Sequence, residues 1–132
     1  VSPGDVTLNS RWHGTLTTPA SLAGAVQIKG EASMAPEIKR GFTALSLNVS
    51  NAAPGGVHPW AGHRGSCGAD EGMLGTPDLY RPLKIGDDGK AFSSATIPLD
   101  TPTMGNYFIV VYASAANAET IIACANLAPP TQ

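Results

Sequence analysis

Leu45-Ser46-Leu47-Asn48-Val49-Ser50, followed by Asn51-Ala52-Ala53-Pro54-Gly55-Gly56, decides the fold class. Leu45, Leu47 and Val49 point one way, with Ser46 and Asn48 opposite, which is the two-residue period of a half-buried strand. Asn51 to Gly56 then supplies turn formers and ends it. The pattern repeats downstream. His58 to His63 reads as a second strand. Gly86-Asp87-Asp88-Gly89 is a hairpin turn signal, because Asp-Gly tolerates positive φ. Ala91, Ser93, Ala95, Ile97 and Leu99 alternate after it, and Asp100 to Gly105 breaks the chain again. Tyr107 to Ala113 is aromatic and β-branched, the composition of a central strand, and Thr120 to Cys124 forms the last one. Upstream, Val6 to Thr17 and Leu22 to Ile28 read as strands separated by a Pro-containing turn. Ala32 to Lys39 reads as a loop or one helical turn, with Pro36 opposing a helix. No helical period persists. The expected fold is an all-β, Greek-key sandwich or barrel of about eight antiparallel strands.

The 132 residues are enough for one domain, 1–132, with its own core. Fifteen Gly and eleven Pro fit many turns. The net charge is −2 and the Lys and Arg residues are scattered, which argues against nucleic acid or an anionic membrane as partner. No apolar run approaches the roughly 20 residues of a membrane-spanning helix. The chain begins at Val1 without a charged-then-apolar leader, as expected after signal-peptide removal or trimming. Cys67 and Cys124 admit two readings, a pair of buried thiols or one disulfide. A disulfide would place the chain in an oxidising compartment. Asn48-Val49-Ser50 is a glycosylation sequon, but it lies inside a strand and carries little weight.

The segment His58-Pro59-Trp60-Ala61-Gly62-His63-Arg64-Gly65-Ser66-Cys67-Gly68 resembles the metal-binding strand of the copper/zinc superoxide dismutase family. Other pieces agree in order. Pro54-Gly55-Gly56-Val57 leads in. Leu79-Tyr80-Arg81-Pro82-Leu83 resembles an aromatic-Pro-Leu entry to the next strand. Tyr107 to Ser114 resembles the strand of a late copper histidine. Ile121-Ile122-Ala123-Cys124-Ala125-Asn126-Leu127 resembles the closing segment. The resemblance covers roughly residues 45–127 and points to a bacterial branch. It implies a Cys67–Cys124 disulfide, a periplasmic or secreted location and a homodimer.

The resemblance also implies ligands, and most are missing. The family pattern is His-x-x-His-x-His, with the last two histidines on copper. His63 matches one of them, whereas the position two residues earlier is Ala61. Residues two apart on a strand share a face, which is why the ligands are so spaced. The late histidine before Ala113-Ser114 is Tyr112. No histidine lies between Cys67 and Tyr80, no Asp matches the zinc carboxylate, and Ile121 replaces the arginine before the final cysteine. Dismutation needs an ion that cycles between two oxidation states, and imidazole-rich sites suit copper. One His and one Tyr do not make such a site, so dismutase activity is not expected.

What remains is a set of binding expectations. Ala61 and Gly62 are small, and beside His63 they suggest a shallow apolar recess. Haem is the first cofactor expected there, with His63, His58 and Tyr112 as its binding residues, because a proximal His is its commonest ligand. A transition-metal ion at His63 is the second, copper before zinc. His58 reads first as a scaffold residue bonded to backbone, His13 as a surface residue and Trp60 as core. Met34, Met73 and Met104 are too dispersed for a copper(I) site. The leading expectation is a non-catalytic envelope domain that has lost its copper and zinc sites. The alternatives are a cofactor-free structural or protein-interaction module, and a copper enzyme rebuilt from His58, His63 and His13.

Overall fold

The computed structural model describes residues 11–18, 28–39, 41–102, 104–114 and 120–129. The described residues are all-β, with ten strands among them where about eight were expected for the chain. They are β1 (Trp12–Leu16), β2 (Lys29–Pro36), β3 (Thr43–Ser50), β4 (Val57–His58), β5 (Trp60–Ser66), β6 (Ala69–Met73), β7 (Leu83–Lys84), β8 (Ala91–Ile97), β9 (Tyr107–Tyr112) and β10 (Ile121–Leu127). The additional strands have two origins: one expected strand is split, and β6 and β7 lie where no strand was expected. Pro59 divides the expected His58–His63 strand into β4 and β5, and the segment before the hairpin turn supplies β7, which pairs with β4.

Two four-stranded antiparallel sheets face each other, ordered β1-β2-β3-β8 and β10-β9-β5-β6. The chain crosses between them after β3, after β6 and after β8, which is Greek-key connectivity. The sheets meet along one side, where β1 bridges β10 through His13 with Ala128 and Thr17 with Cys124.

The alternation of β3 holds residue by residue. Leu45, Leu47 and Val49 are buried, and Ser46 and Asn48 face outward. Ser93, Ala95 and Ile97 of β8 point inward while Phe92, Ser94 and Thr96 point out. Between the sheets lie Trp12, Leu16, Met34, Leu45, Leu47, Trp60, Leu83, Ile97, Ile109 and Val111. The indole N–H groups are satisfied by carbonyls: Trp12 donates to Pro102 O at 2.8 Å and Trp60 to Arg81 O at 2.7 Å. The expected hairpin turn forms. Gly86 N–H donates to Lys90 O and Gly89 N–H to Gly86 O, with Gly89 at φ 76°.

One expectation needs correction. Ala32 to Lys39 is neither loop nor helical turn through its first half, because Ala32–Pro36 belongs to β2. Ala32 and Met34 alternate inward there, but the small side chains and the terminal Pro36 hide the period; Pro36 is tolerated because its nitrogen faces the β1 side, where pairing ends at Met34. Within the expected Val6–Thr17 strand, Trp12–Leu16 forms β1; Val6 to Ser10, like Leu22 to Gln27, lies outside the described residues.

β9 is the central strand of its sheet, between β10 and β5. Phe108, Ile109, Val110 and Val111 are all buried, so both of its faces are covered. A continuous apolar run is what such a strand requires. Phe108 and Val110 pack with Cys124 on the face away from the core, and Cys67 is disulfide-bonded to Cys124 over that face. The link spans 57 residues of sequence. Cys67 N–H also donates to Asn126 Oδ1 at 2.7 Å, which fixes the β5–β6 turn on β10.

Two stability predictions follow from these contacts. Replacing both cysteines by Ser should lower the unfolding free energy by about 4 kcal/mol through loop-closure entropy, read from urea midpoints; a loss below about 1 kcal/mol would mean that the unfolded chain gains little freedom. Gly14 sits where β1 meets β10, and a Cβ there would lie 2.1 Å from Asn126 O. Gly14→Ala should therefore cost about 1–3 kcal/mol by overpacking against backbone, whereas Thr15→Ala, on the exposed side of β1, should stay within about 0.5 kcal/mol.

Candidate functional site

The candidate site is on the outer face of the β5–β9 pair. The register sets Trp60 opposite Val111, Ala61 opposite Val110, Gly62 opposite Ile109 and His63 opposite Phe108. Trp60 and Gly62 therefore point into the core with Ile109 and Val111. Ala61 and His63 share the outer face with Phe108, Val110 and Tyr112. His63 is 5% exposed, and its ring stacks on Phe108 at 5.3 Å.

Both imidazole nitrogens are hydrogen-bonded. Nδ1 lies 3.0 Å from Asp70 Oδ1 and Nε2 lies 2.9 Å from Tyr112 Oη. A carboxylate only accepts, so the proton sits on Nδ1. In the neutral ring Nε2 then carries a lone pair and accepts the Tyr112 hydroxyl proton. The three side chains make one directed chain, phenol to imidazole to carboxylate.

Each member is placed by local backbone. Asp70 comes from β6, whose ladder with β5 shifts register between His63 and Gly65. Gly65 pairs with Asp70 and His63 with Met73, so β6 carries one extra residue, a bulge that re-aims a side chain. Gly65 has no side chain to block Asp70, and a Cβ there would lie 2.2 Å from Ala69 O at a φ of 108°. Asp70 Oδ1 also accepts Gly72 N–H at 2.8 Å. That backbone bond first, and the neighbouring His63 after it, hold the Asp70 carboxyl below its ordinary value of 3.8 against the opposing effect of desolvation.

Tyr112 ends β9 and is half-buried. Burial first, and the negative charge of Asp70 second, raise its hydroxyl pKa above the ordinary 10.0. The neutral phenol is thus the resting form, as the donor role requires. His63 and Tyr112 lie on either side of the Ala61–Val110 pair in the register. The small Ala61 methyl leaves the imidazole and phenol room to meet across that row.

The other expected site residues are placed differently. His58, on β4, donates from Nδ1 to the carbonyls of Ala113 at 2.9 Å and Tyr112 at 3.2 Å. It ties β4 to the end of β9 and so holds the backbone that carries Tyr112. His13 is exposed on β1, in the other sheet. The expected recess at Ala61-Gly62 is not formed. Ala61 is 1% exposed, and Gly62 faces the core, where an added Cβ would meet Leu45 Cδ1 at 2.8 Å. Met34 is buried in the core and Met104 is exposed. Trp60 is a core residue, edge-on to Tyr80 at 4.9 Å.

The donor set does not fit a copper–zinc centre. Ala61 contributes no donor atom, Tyr112 faces His63, and among the described residues no three His, Cys, Asp or Glu side chains converge. Asp70 was missed in the sequence, because only the bulge brings it to His63. The signal for it was the glycine spacing around it, Gly65, Gly68 and Gly72, all at positive φ. No protein-family model and no curated protein matches the chain.

The Asp70 geometry sets an acid dependence. Its folded pKa lies below the unfolded one, so its stabilisation is present above pH 3.8 and fades as the pH falls through the lower folded value. Urea midpoints measured from about pH 5 down to about pH 2 should fall more steeply for the parent than for Asp70→Asn; parallel curves would mean that the carboxylate is uncoupled from the fold.

Proposed function

We propose that the chain is a non-catalytic, superoxide dismutase-like module of an oxidising, extracytoplasmic compartment. In it the Asp70–His63–Tyr112 hydrogen-bonded chain takes the place of the family's copper and zinc centre. The observation that carries this reading is that both nitrogens of the buried His63 are engaged, one by a carboxylate and one by a phenol. A ligating histidine needs a free lone pair on one nitrogen, with the other ring N–H held by a partner such as a carboxylate. Here Tyr112 uses that lone pair. The cofactor-free alternative is therefore favoured over haem or a metal ion at His63.

The superoxide dismutase likeness is supported by the two four-stranded sheets with crossovers and by the disulfide from the β5–β6 turn to β10. It is further supported by the register that sets Ala61, His63 and Tyr112 on one face. The disulfide also supports the oxidising compartment. On this reading the module serves as a scaffold or binding domain rather than through metal turnover.

The test has two arms. The purified chain, loaded with copper(II) and passed over a chelating resin, should retain no stoichiometric copper and dismutate no superoxide. Hemin titration should give no saturable Soret shift. The double substitution Ala61→His with Tyr112→His should restore tight copper with nitrogen hyperfine structure in its electron paramagnetic resonance spectrum, because three imidazoles would then share one face. Copper or haem bound by the parent at one equivalent, and lost in His63→Ala, would overturn the reading. Failure of the double variant to bind copper while folded would overturn the likeness of the site.

A further inference from the structure

The chain contains five readily oxidised phenol and indole side chains, Trp12, Trp60, Tyr80, Tyr107 and Tyr112. Their polar partners differ in kind. Trp12 and Trp60 donate to the carbonyls of Pro102 and Arg81, and Tyr80 donates to that of Leu74. A carbonyl oxygen accepts a hydrogen bond but does not take up a proton near neutral pH. Tyr107 packs edge-on against Trp12 at 5.2 Å. Tyr112 alone among these donates to a base, His63 Nε2 at 2.9 Å, and that base is backed by the Asp70 carboxylate at 3.0 Å.

This contrast has a chemical consequence. One-electron oxidation turns a phenol into a strong acid, so a tyrosine gives up an electron most easily where a base stands ready for its proton. We propose that Tyr112 is a proton-coupled one-electron donor, with His63 as the proton acceptor and Asp70 as the group that stabilises the resulting imidazolium. In the step, the Tyr112 O–H bond breaks and an N–H bond forms at His63 Nε2. The electron passes to an oxygen-centred radical, which becomes the corresponding anion, and Tyr112 is left as a neutral phenoxyl radical. The half-buried ring is reached by the oxidant through electron transfer alone, without a binding pocket. The chain would then act as a radical sink in an oxidising compartment.

The inference rests on the reading that His63 is not a metal ligand, and it explains why a buried imidazole keeps both a carboxylate and a phenol. The ionisable groups around Tyr112 are His63 on β5, Asp70 on β6 and, more distantly, Tyr80 in the segment before β7; His58 on β4 bonds only its carbonyl. His58 is engaged by the backbone carbonyls of Tyr112 and Ala113 and the Tyr80 hydroxyl by that of Leu74, so the proton's destination is His63.

The experiment uses the whole chain, treated with a chelator, and hexachloroiridate(IV) as the one-electron oxidant. Stopped-flow absorbance and freeze-quenched paramagnetic resonance should show a phenoxyl radical in the parent and in Tyr107→Phe, and none in Tyr112→Phe. His63→Gln, which keeps an amide in place of the base, should react about 10²-fold more slowly, the scale of a positioned proton acceptor. Asp70→Asn should fall between them. A second readout separates proton transfer from mere packing. Where the proton stays on His63, the Tyr112 potential should be nearly independent of pH. In His63→Gln it should fall by about 59 mV per pH unit as the proton goes to water, the value for one electron and a tenfold change. A radical that survives Tyr112→Phe, or equal rates and equal pH slopes in the parent and His63→Gln, would overturn the proposal. Copper retained after chelation would instead overturn the metal-free reading, and the two failures are told apart by metal analysis of the same sample.

Discussion

The pairing of β5 with β9 is the constraint on which both the core and the site depend. Its register puts Trp60 and Gly62 beside Ile109 and Val111 on the inner face, and Ala61 and His63 beside Phe108 and Val110 on the outer one. A slip of one residue would exchange the two sets. His63 would then enter a core filled by Leu45, Leu74 and Tyr80, and Trp60 would be driven out of it. Gly62 guards the register from within, because only a residue without a side chain fits against Leu45 at that point. The disulfide guards it from outside, by fastening the end of β5 to β10 across the face that carries the site.

That double cover explains why a polar chain of three side chains survives at the surface of a small sandwich. An outer sheet face is ordinarily wet, and hydrogen bonds there compete with water. Here the Phe108 ring stacks on His63, which is buried, while Asp70 and Tyr112 connect it to the surface. Among the described residues, no buried side-chain nitrogen or oxygen lacks a partner. The imidazole is satisfied on both sides, and so adds rigidity rather than a buried polar penalty.

Much of this was legible in the sequence. The alternation at Leu45 to Val49, the Asp-Gly turn and the apolar run of β9 each encode local geometry in local composition. The small residue at Ala61 and the phenol at Tyr112 were visible as departures from a histidine pattern. Their relation was not, since it depends on which residues of β5 and β9 face each other. Asp70 was hidden for the same reason at shorter range, because the bulge that turns it toward His63 is a register fact rather than a residue type. The β2 strand was hidden because Ala32 and Ala35 signal no strongly apolar face and Pro36 reads as a breaker.

The central claim is that His63 is a bridge between a phenol and a carboxylate rather than a ligand. Its most direct test is the nitrogen spectrum of the His63 ring, recorded by long-range proton–nitrogen correlation before and after one equivalent of zinc. The hydrogen-bond geometry predicts a proton on Nδ1, facing Asp70, with Nε2 accepting from the Tyr112 hydroxyl, and no change on adding zinc. A ring protonated on Nε2, or an Nε2 resonance that moves to a metal-bound position with one equivalent of zinc, would contradict it.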